Sequence, residues 1–148
     1  MKNELIKHIR ENLAKYETEV LKAIEPYNYE KERYDIDFVI AVGATLDDVD
    51  MVSFSQAIRL VDTFVFLDKN VCGVVFAFNN TENGIKAASN LLNKFEMQFF
   101  SNKIYLGIIS SEDEIIPEQQ VKKLFETLCY GIGQGMSNLP LDYQHIAH

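Results

Sequence analysis

The sequence has no tryptophan, three prolines and two cysteines among its 148 residues. Both cysteines, Cys72 and Cys129, lie in apolar runs, and cysteine is among the residue types most often buried. We therefore expect two reduced, buried thiols rather than a disulfide or a pair of metal ligands. Reduced thiols are typical of the cytoplasm, so we expect a cytoplasmic protein.

Long apolar runs and an excess of basic residues are also absent. No stretch approaches the run of about 20 apolar residues that a membrane-spanning helix needs, and residues 1–12 alternate in charge, unlike a signal peptide. The chain has 22 acidic and 14 basic residues, for a net charge of −8. Nucleic acids and anionic membranes favour basic surfaces, so we expect neither as a partner.

Side chains that build metal centres or catalytic triads are scattered along the chain. Asp47, Asp48 and Asp50 lie close together, but the glycine and terminal glutamate of an EF-hand are missing. Helix capping explains these aspartates better. The three histidines are His8, His145 and His148. None has a cysteine or serine at triad spacing in sequence, and we expect no bound metal and no cofactor.

The apolar periodicity predicts one domain over 1–148, with an N-terminal helix at 3–24 that Pro26 ends, a core at 34–138 and a short tail at 139–148. Alternating and β-branched runs predict strands, and steps of three and four residues predict helices. The predicted core elements are a strand at 36–44, a helix at 51–62, hairpin strands at 63–67 and 71–78, a helix at 82–95, a short strand at 97–100, a strand at 104–109 and a helix at 117–131. The tail forms an edge strand at 139–143 or is unstructured. This order predicts an α/β (α+β) fold with one mixed, mainly antiparallel sheet flanked by helices.

Three stretches of the chain resemble GGDEF (diguanylate cyclase) domains. The strand at 36–44 is similar to the family's first strand. Arg59 and Asp62 match an Arg-x-x-Asp pair five residues before the signature turn, and Asp68, Lys69, Asn70, Val71 and Cys72 then occupy the turn. Near the end, Tyr130 and Asn138 match a tyrosine and an asparagine of the closing helix. The resemblance implies a nucleotidyl cyclase fold with a ferredoxin-like core.

The departures from the family's pattern concern its catalytic residues. The first strand of an active cyclase ends in a metal-binding aspartate, whereas the matching stretch here is Ala41-Val42-Gly43. The turn at 68–72 has neither the two glycines that let backbone approach a nucleotide nor the Asp-Glu pair that binds divalent ions. The resemblance therefore implies a degenerate, catalytically inactive domain that acts as a regulatory or protein-interaction module.

Two alternatives remain open. In the family, the Arg-x-x-Asp pair can bind cyclic di-GMP, so Arg59 and Asp62 are candidate ligand-binding residues. A helix-end ion pair of little energetic value is the other interpretation of the same residues. An enzyme of unrelated chemistry is the second alternative.

The phenylalanines of the predicted hairpin suggest which partners to expect. Phe64, Phe66, Phe76 and Phe78 alternate along its strands, so one face is strongly apolar. That face belongs to the core unless the first helix leaves it uncovered, in which case it suits a protein partner or a homodimer.

Overall fold

The fold is a single mixed sheet with helices on both faces. The computed structural model describes residues 1–49, 51–78, 80–98 and 102–146. In chain order the elements are α1 (Lys2–Glu11), α2 (Leu13–Tyr34), β1 (Val39–Thr45), a 3-10 helix (Met51–Gln56), β2 (Thr63–Asp68), β3 (Val71–Phe76), α3 (Thr81–Gln98), β4 (Ile104–Ser110), α4 (Pro117–Gln134), β5 (Pro140–Asp142) and α5 (Tyr143–Ile146). Among the described residues, no helix has the length and apolar character needed to cross a bilayer.

The sheet has five strands in the order β2-β3-β1-β4-β5. The central strand β1 pairs antiparallel with β3 and β4, β2 and β3 form an antiparallel hairpin, and β5 runs parallel to β4. All seven residues of β1 are buried, because both faces of the sheet are covered at its centre. The predicted mixed, mainly antiparallel sheet flanked by helices is confirmed.

Side chains of β1 alternate between two apolar cores. Ile40 and Val42 lie in a cluster with residues of α1, α2 and α4. Val39 and Ala41 lie on the opposite face in a cluster with α3 and the 3-10 helix. This alternation is the two-residue period of a strand, and it places three helices on one face and α3 with a short 3-10 helix on the other.

The prediction that Pro26 ends the first helix was wrong. The helical run breaks earlier, at Asn12, whose side-chain amide donates to the His8 carbonyl oxygen at 2.9 Å. Beyond that break, α2 continues through Pro26 to Tyr34. The second half of α2 is held by packing, because the ring of Tyr27 lies 5.6 Å from that of Phe38, the residue before β1. Tertiary packing therefore outweighs the local cost of the proline.

Several predicted boundaries also differ from the structure. The helix expected at 51–62 is only the 3-10 helix Met51–Gln56, because residues 59–62 are bonded to the end of β3. The strand expected at 97–100 was wrong for 97 and 98, which belong to α3. Residues 99 and 100 lie outside the described residues. The tail forms the edge strand Pro140–Asp142 and then α5.

Candidate functional site

The turn between β2 and β3 lies beside the C-terminal half of β1. Gly43 is opposite Cys72, and Ala44 is opposite Val71, in the register of β1 and β3. The stretch matched to the metal-binding strand and the residues matched to the signature turn are therefore neighbours. The structure brings this predicted pair of segments together.

The last two turn residues point into the protein core. Val71 is 0% exposed and Cys72 is 1% exposed, and the two side chains belong to the cores on opposite faces of the sheet. Burial raises the pKa of the Cys72 thiol, which keeps it protonated at neutral pH. Neither side chain offers a surface to a metal ion or a nucleotide.

Asn70 fastens the turn to the end of β1. Its side-chain amide donates to the carbonyl oxygen of Thr45 at 3.1 Å and to that of Asp47 at 3.0 Å. The backbone N–H of Thr45 donates back to the Asn70 carbonyl oxygen at 3.1 Å, and that of Met51 donates to the Lys69 carbonyl oxygen at 3.1 Å. The chain's own groups thus occupy the gap between this turn and the loop after β1.

The acidic loop after β1 is also engaged. The Asp47 carboxylate accepts from the backbone N–H of Lys103 at 2.7 Å, and Lys69 pairs with Asp48 at 2.6 Å. The hydrogen bond and charge of Lys69 lower the pKa of Asp48. Asp50 lies outside the described residues. In the described ranges, no three His, Cys, Asp or Glu side chains are grouped so as to hold a metal ion.

Asp68, the first turn residue, is bonded to the N-terminal helices. Its carboxylate lies 2.9 Å from His8 Nε2 on α1 and accepts from the Tyr16 hydroxyl of α2 at 3.0 Å. Burial pushes the pKa of Asp68 up, but the hydrogen bonds from His8, the Lys69 amide and Tyr16 outweigh burial and lower it. Burial, together with the bond to Asp68, raises the pKa of Tyr16.

Arg59 and Asp62 form a clip at the end of the hairpin opposite to the turn. Arg59 Nε and Nη2 donate to the Asp62 carboxylate at 3.0 and 2.8 Å, and Nη2 also donates to the Ala77 carbonyl oxygen at 2.7 Å. The backbone N–H groups of Arg59 and Ala77 donate to the same carboxylate at 3.1 and 3.0 Å. The clip therefore fixes residues 59–62 to the end of β3.

The two residues of the clip differ in exposure. The Asp62 side chain is 2% exposed and the Arg59 side chain is 52% exposed. Asp62 is thus an internal anchor, while the Arg59 side chain is half exposed. The length of β2 separates the clip from the turn at 68–72, so the structure does not combine the two predicted groups into one site.

Local sequence patterns do not indicate the contacts that His8, Tyr16 and Thr45 make with the turn. His8 and Asp68 are 60 residues apart, and Thr45 and Asn70 are 25 apart. The spacing of neighbouring residues in the sequence does not predict contacts between residues this far apart. Only the docking of α1 and α2 and the register of β1 with β3 bring these residues together.

Comparison with known proteins defines the fold. No protein-family model matches the chain, and no curated protein matches it. The GGDEF domain of YfiN (TpbB) from Pseudomonas aeruginosa matches with a TM-score of 0.67 and 10% identity, over 87% of this chain and 93% of that one.

Two further structures show the same likeness. The GGDEF domain of DgcB from Caulobacter crescentus, solved in complex with c-di-GMP, matches with a TM-score of 0.66 and 6% identity, over 83% of this chain and 87% of that one. The diguanylate cyclase SiaD from Pseudomonas aeruginosa, in complex with its activator SiaC, matches with a TM-score of 0.65 and 9% identity, over 83% of this chain and 56% of that one. The chain therefore has the fold of GGDEF domains.

Proposed function

We propose that this chain is a GGDEF-fold domain without diguanylate cyclase activity, which serves as a regulatory or protein-interaction module. The observation that carries the proposal is that residues of the turn at 68–72 are hydrogen-bonded to other parts of the same chain. Asn70 bonds the turn to the end of β1, and Asp68 is bonded to His8 and Tyr16. The position that would face a nucleotide is filled by contacts within the chain.

The chemistry of phosphoryl transfer explains why this matters. Joining two GTP molecules requires divalent ions, and these are held by clustered carboxylates and offset the charge of the phosphates. Here Val71 and Cys72 are buried and apolar, and β1 supplies Ala41, Val42 and Gly43 at the neighbouring positions. At these matched positions the side chains therefore offer no oxygen ligand to a divalent ion.

The test is a pyrophosphate-release assay with GTP and either Mg²⁺ or Mn²⁺, with an active diguanylate cyclase as the positive control. We expect release equal to the buffer blank. Steady release that scales with protein concentration would refute the proposal.

A cyclic di-GMP sensor is the alternative function, and the half-exposed side chain of Arg59 favours it. A ligand could use the exposed part of that side chain, but it would have to share Asp62 with four internal donor groups. Calorimetry with cyclic di-GMP separates the two functions. Our proposal predicts no saturable heat.

The matched variants for this titration are Arg59→Ala and Arg33→Ala. Arg33 is on α2, where its guanidinium carbon lies 5.5 Å from the ring centre of Tyr29, remote in sequence from the clip. Saturable binding that Arg59→Ala abolishes and Arg33→Ala preserves would establish the sensor function instead.

A further inference from the structure

A groove of about 430 Å³ lies between α4 and the first two helices, on the face of the sheet opposite to α3. Ile6 and Arg10 of α1 and Leu13 of α2 line one side, and a stripe of α4 from Lys122 to Gln134 lines the other. Its volume falls within the range of about 300–1,000 Å³ that is usual for small-molecule sites. The groove is separate from the hairpin turn and from the clip, because none of its lining residues belongs to either.

The apolar part of the lining adjoins the core that α1, α2 and α4 form with the sheet. Ile6, Leu13 and Cys129 are partly buried and pack against this core, and Phe125, which also lines the groove, belongs to it. At Gly133 the α4 side has no side chain, and an added Cβ would meet Ile6 Cδ1 at an ordinary 3.7 Å. An apolar ligand body in the groove would therefore bury surface that the chain leaves partly exposed, which favours binding.

Two positively charged side chains of the lining have no anionic partner in the described parts of the chain. Arg10 and Lys122 are exposed, and neither takes part in an ion pair of the described residues. Burial raises the pKa of the Cys129 thiol, and the nearby charge of Arg10 lowers it by less. Burial likewise raises the pKa of Glu17 on α2, and the charge of Lys122 lowers it by less. Both cations therefore lie close to the groove without being compensated there.

The charge balance of the lining indicates the charge of the ligand. Arg10 and Lys122 contribute two positive charges, and Glu126 is the single acidic residue among those that line the groove. The lining therefore has one positive charge in excess, in a chain whose net charge is −8. One negative charge on a ligand balances this excess, whereas Glu126 would repel a second.

We propose that this groove binds a small amphipathic monoanion, namely an aliphatic chain that ends in one carboxylate. The aliphatic chain lies against Ile6, Leu13 and Phe125, and the carboxylate accepts hydrogen bonds from Arg10 and Lys122. An apolar body in the groove displaces water from these two cations, so a ligand without a negative charge would leave them desolvated and unpaired. The inference goes beyond the proposed function, since binding does not depend on whether GTP is turned over.

The test is a titration of the full chain with octanoate, followed by the amide chemical shifts in NMR spectra. The matched ligands are 1-octanol, which lacks the charge, and octylammonium, which has the opposite charge. We expect octanoate to bind with a dissociation constant on the order of 0.1–1 mM, as suits a ligand of this size. The two matched ligands should bind about tenfold more weakly or not at all.

Arg10→Gln and Lys122→Gln test the role of the two cations, with Lys86→Gln as the matched control. Lys86 is on α3, on the other face of the sheet, and its exposed side chain pairs with Glu82 at 3.6 Å. We expect each groove variant to weaken octanoate binding about three- to tenfold, and the double variant to abolish it. Lys86→Gln should leave octanoate binding unchanged.

A second measurement on the unmodified chain uses Cys129 as a reporter. This thiol lines the groove and is partly buried. Saturating octanoate should therefore slow its alkylation by iodoacetamide, as measured by mass spectrometry of the peptide that contains Cys129. 1-Octanol at the same concentration should slow the alkylation less.

Several results would overturn the proposal. They are the absence of saturable shifts, equal affinities for octanoate and 1-octanol, and shifts confined to residues outside the groove. Protection of Cys129 that grows with protein concentration in the absence of octanoate would show that a second copy covers the groove, and would overturn the proposal as well. A chain that binds no octanoate and releases no pyrophosphate would leave the proposed function standing and remove this inference alone.

Discussion

The carboxylate of Asp68 lies 2.9 Å from Nε2 of His8, which ties the hairpin turn to the first helix. The position matched to the start of the signature turn is therefore a structural anchor for α1 and α2. Since the pKa of Asp68 is lowered in the fold, the folded chain holds this proton less tightly than the unfolded chain does.

The first prediction concerns Asp68→Asn and acid stability. Because the pKa of Asp68 is lower in the fold than its ordinary value of 3.8, the ionised carboxylate stabilises the folded chain at pH values above that value. This contribution is lost as the pH falls from about 5 through the folded pKa. We expect Asp68→Asn to cost about 1 kcal/mol at neutral pH, after allowance for the 40% exposure of Asp68. The cost should shrink on acidification.

Urea unfolding at a series of pH values measures this effect. Glu11→Gln, which removes an exposed pair with Lys7 at 3.8 Å, is the control and should change stability little at any pH. An Asp68→Asn cost that is independent of pH would show that the ionised carboxylate contributes nothing.

The second prediction concerns the clip between Arg59 and Asp62. We expect Arg59→Lys to destabilise the fold by about 2 kcal/mol, because an ammonium group cannot replace two donors from a planar guanidinium. The Asp62 carboxylate, 2% exposed, would remain buried with weaker compensation. Chemical denaturation measures the loss.

Lys22→Ala is the control for the clip, since Lys22 pairs with Glu19 at 3.6 Å on an exposed helix surface. It should have almost no effect. If Arg59→Lys had equally little effect on stability, the clip would have no structural role. That result would favour Arg59 as a ligand-binding residue.

The third prediction concerns the close approach of α3 to β1 at Gly84. A Cβ atom on Gly84 would overlap Cγ2 of Val39. We expect Gly84→Ala to cost about 2 kcal/mol through overpacking. Adding Val39→Ala should make the double variant less destabilised than the sum of the two single variants.

Gly133→Ala on α4 is the matched control, because its added Cβ would meet only Ile6 Cδ1 at an ordinary 3.7 Å. Alanine favours a helix more than glycine does, so this variant should be neutral or slightly stabilised. Thermal unfolding of Gly84→Ala, Val39→Ala, the double variant and Gly133→Ala compares their stabilities. Additive losses for Gly84 and Val39 would contradict the close contact.

The fourth prediction concerns Phe78, a non-glycine residue with a positive φ of 57°. Its side chain is 61% exposed, so little packing offsets the strain of the left-handed conformation. We expect Phe78→Gly to stabilise the fold by about 1 kcal/mol.

Asn138, with φ of 62°, is the contrasting position. Its side chain accepts from the N–H of Ile104 at 3.3 Å and donates to Glu96 at 3.0 Å. Asn138→Gly should therefore destabilise the fold, because it removes these hydrogen bonds, even though glycine adopts a positive φ without strain. Urea unfolding measures the free energy of unfolding of both variants. If Phe78→Gly were less stable than the unchanged chain, the ring of Phe78 would contribute packing that outweighs the strain.

The sequence predicted those elements whose signals are local. Turn residues between two alternating runs predicted the hairpin, which the structure has at Thr63–Asp68 and Val71–Phe76. Pro117 at the start of a periodic run predicted α4, where it is the first helical residue. Element order then indicated the GGDEF fold.

The wrong predictions came from contacts between distant residues. Pro26 does not end α2, because Tyr27 packs against Phe38. The helix expected at 51–62 is short, because Asp62 accepts from the N–H of Ala77. The lack of metal ligands in the turn could be predicted, because it follows from residue identity alone. The hydrogen bonds that hold the turn could not be predicted, because they join residues far apart in sequence.

The most direct measurement is pyrophosphate release from GTP in the presence of Mg²⁺ or Mn²⁺, alongside equilibrium dialysis for a bound divalent ion. Because Asn70 bonds the turn to the Thr45 and Asp47 carbonyl groups and Val71 and Cys72 are buried, we predict no release above the blank and no bound ion. Sustained turnover, or one divalent ion held per chain and lost on substitution within residues 68–72, would contradict this.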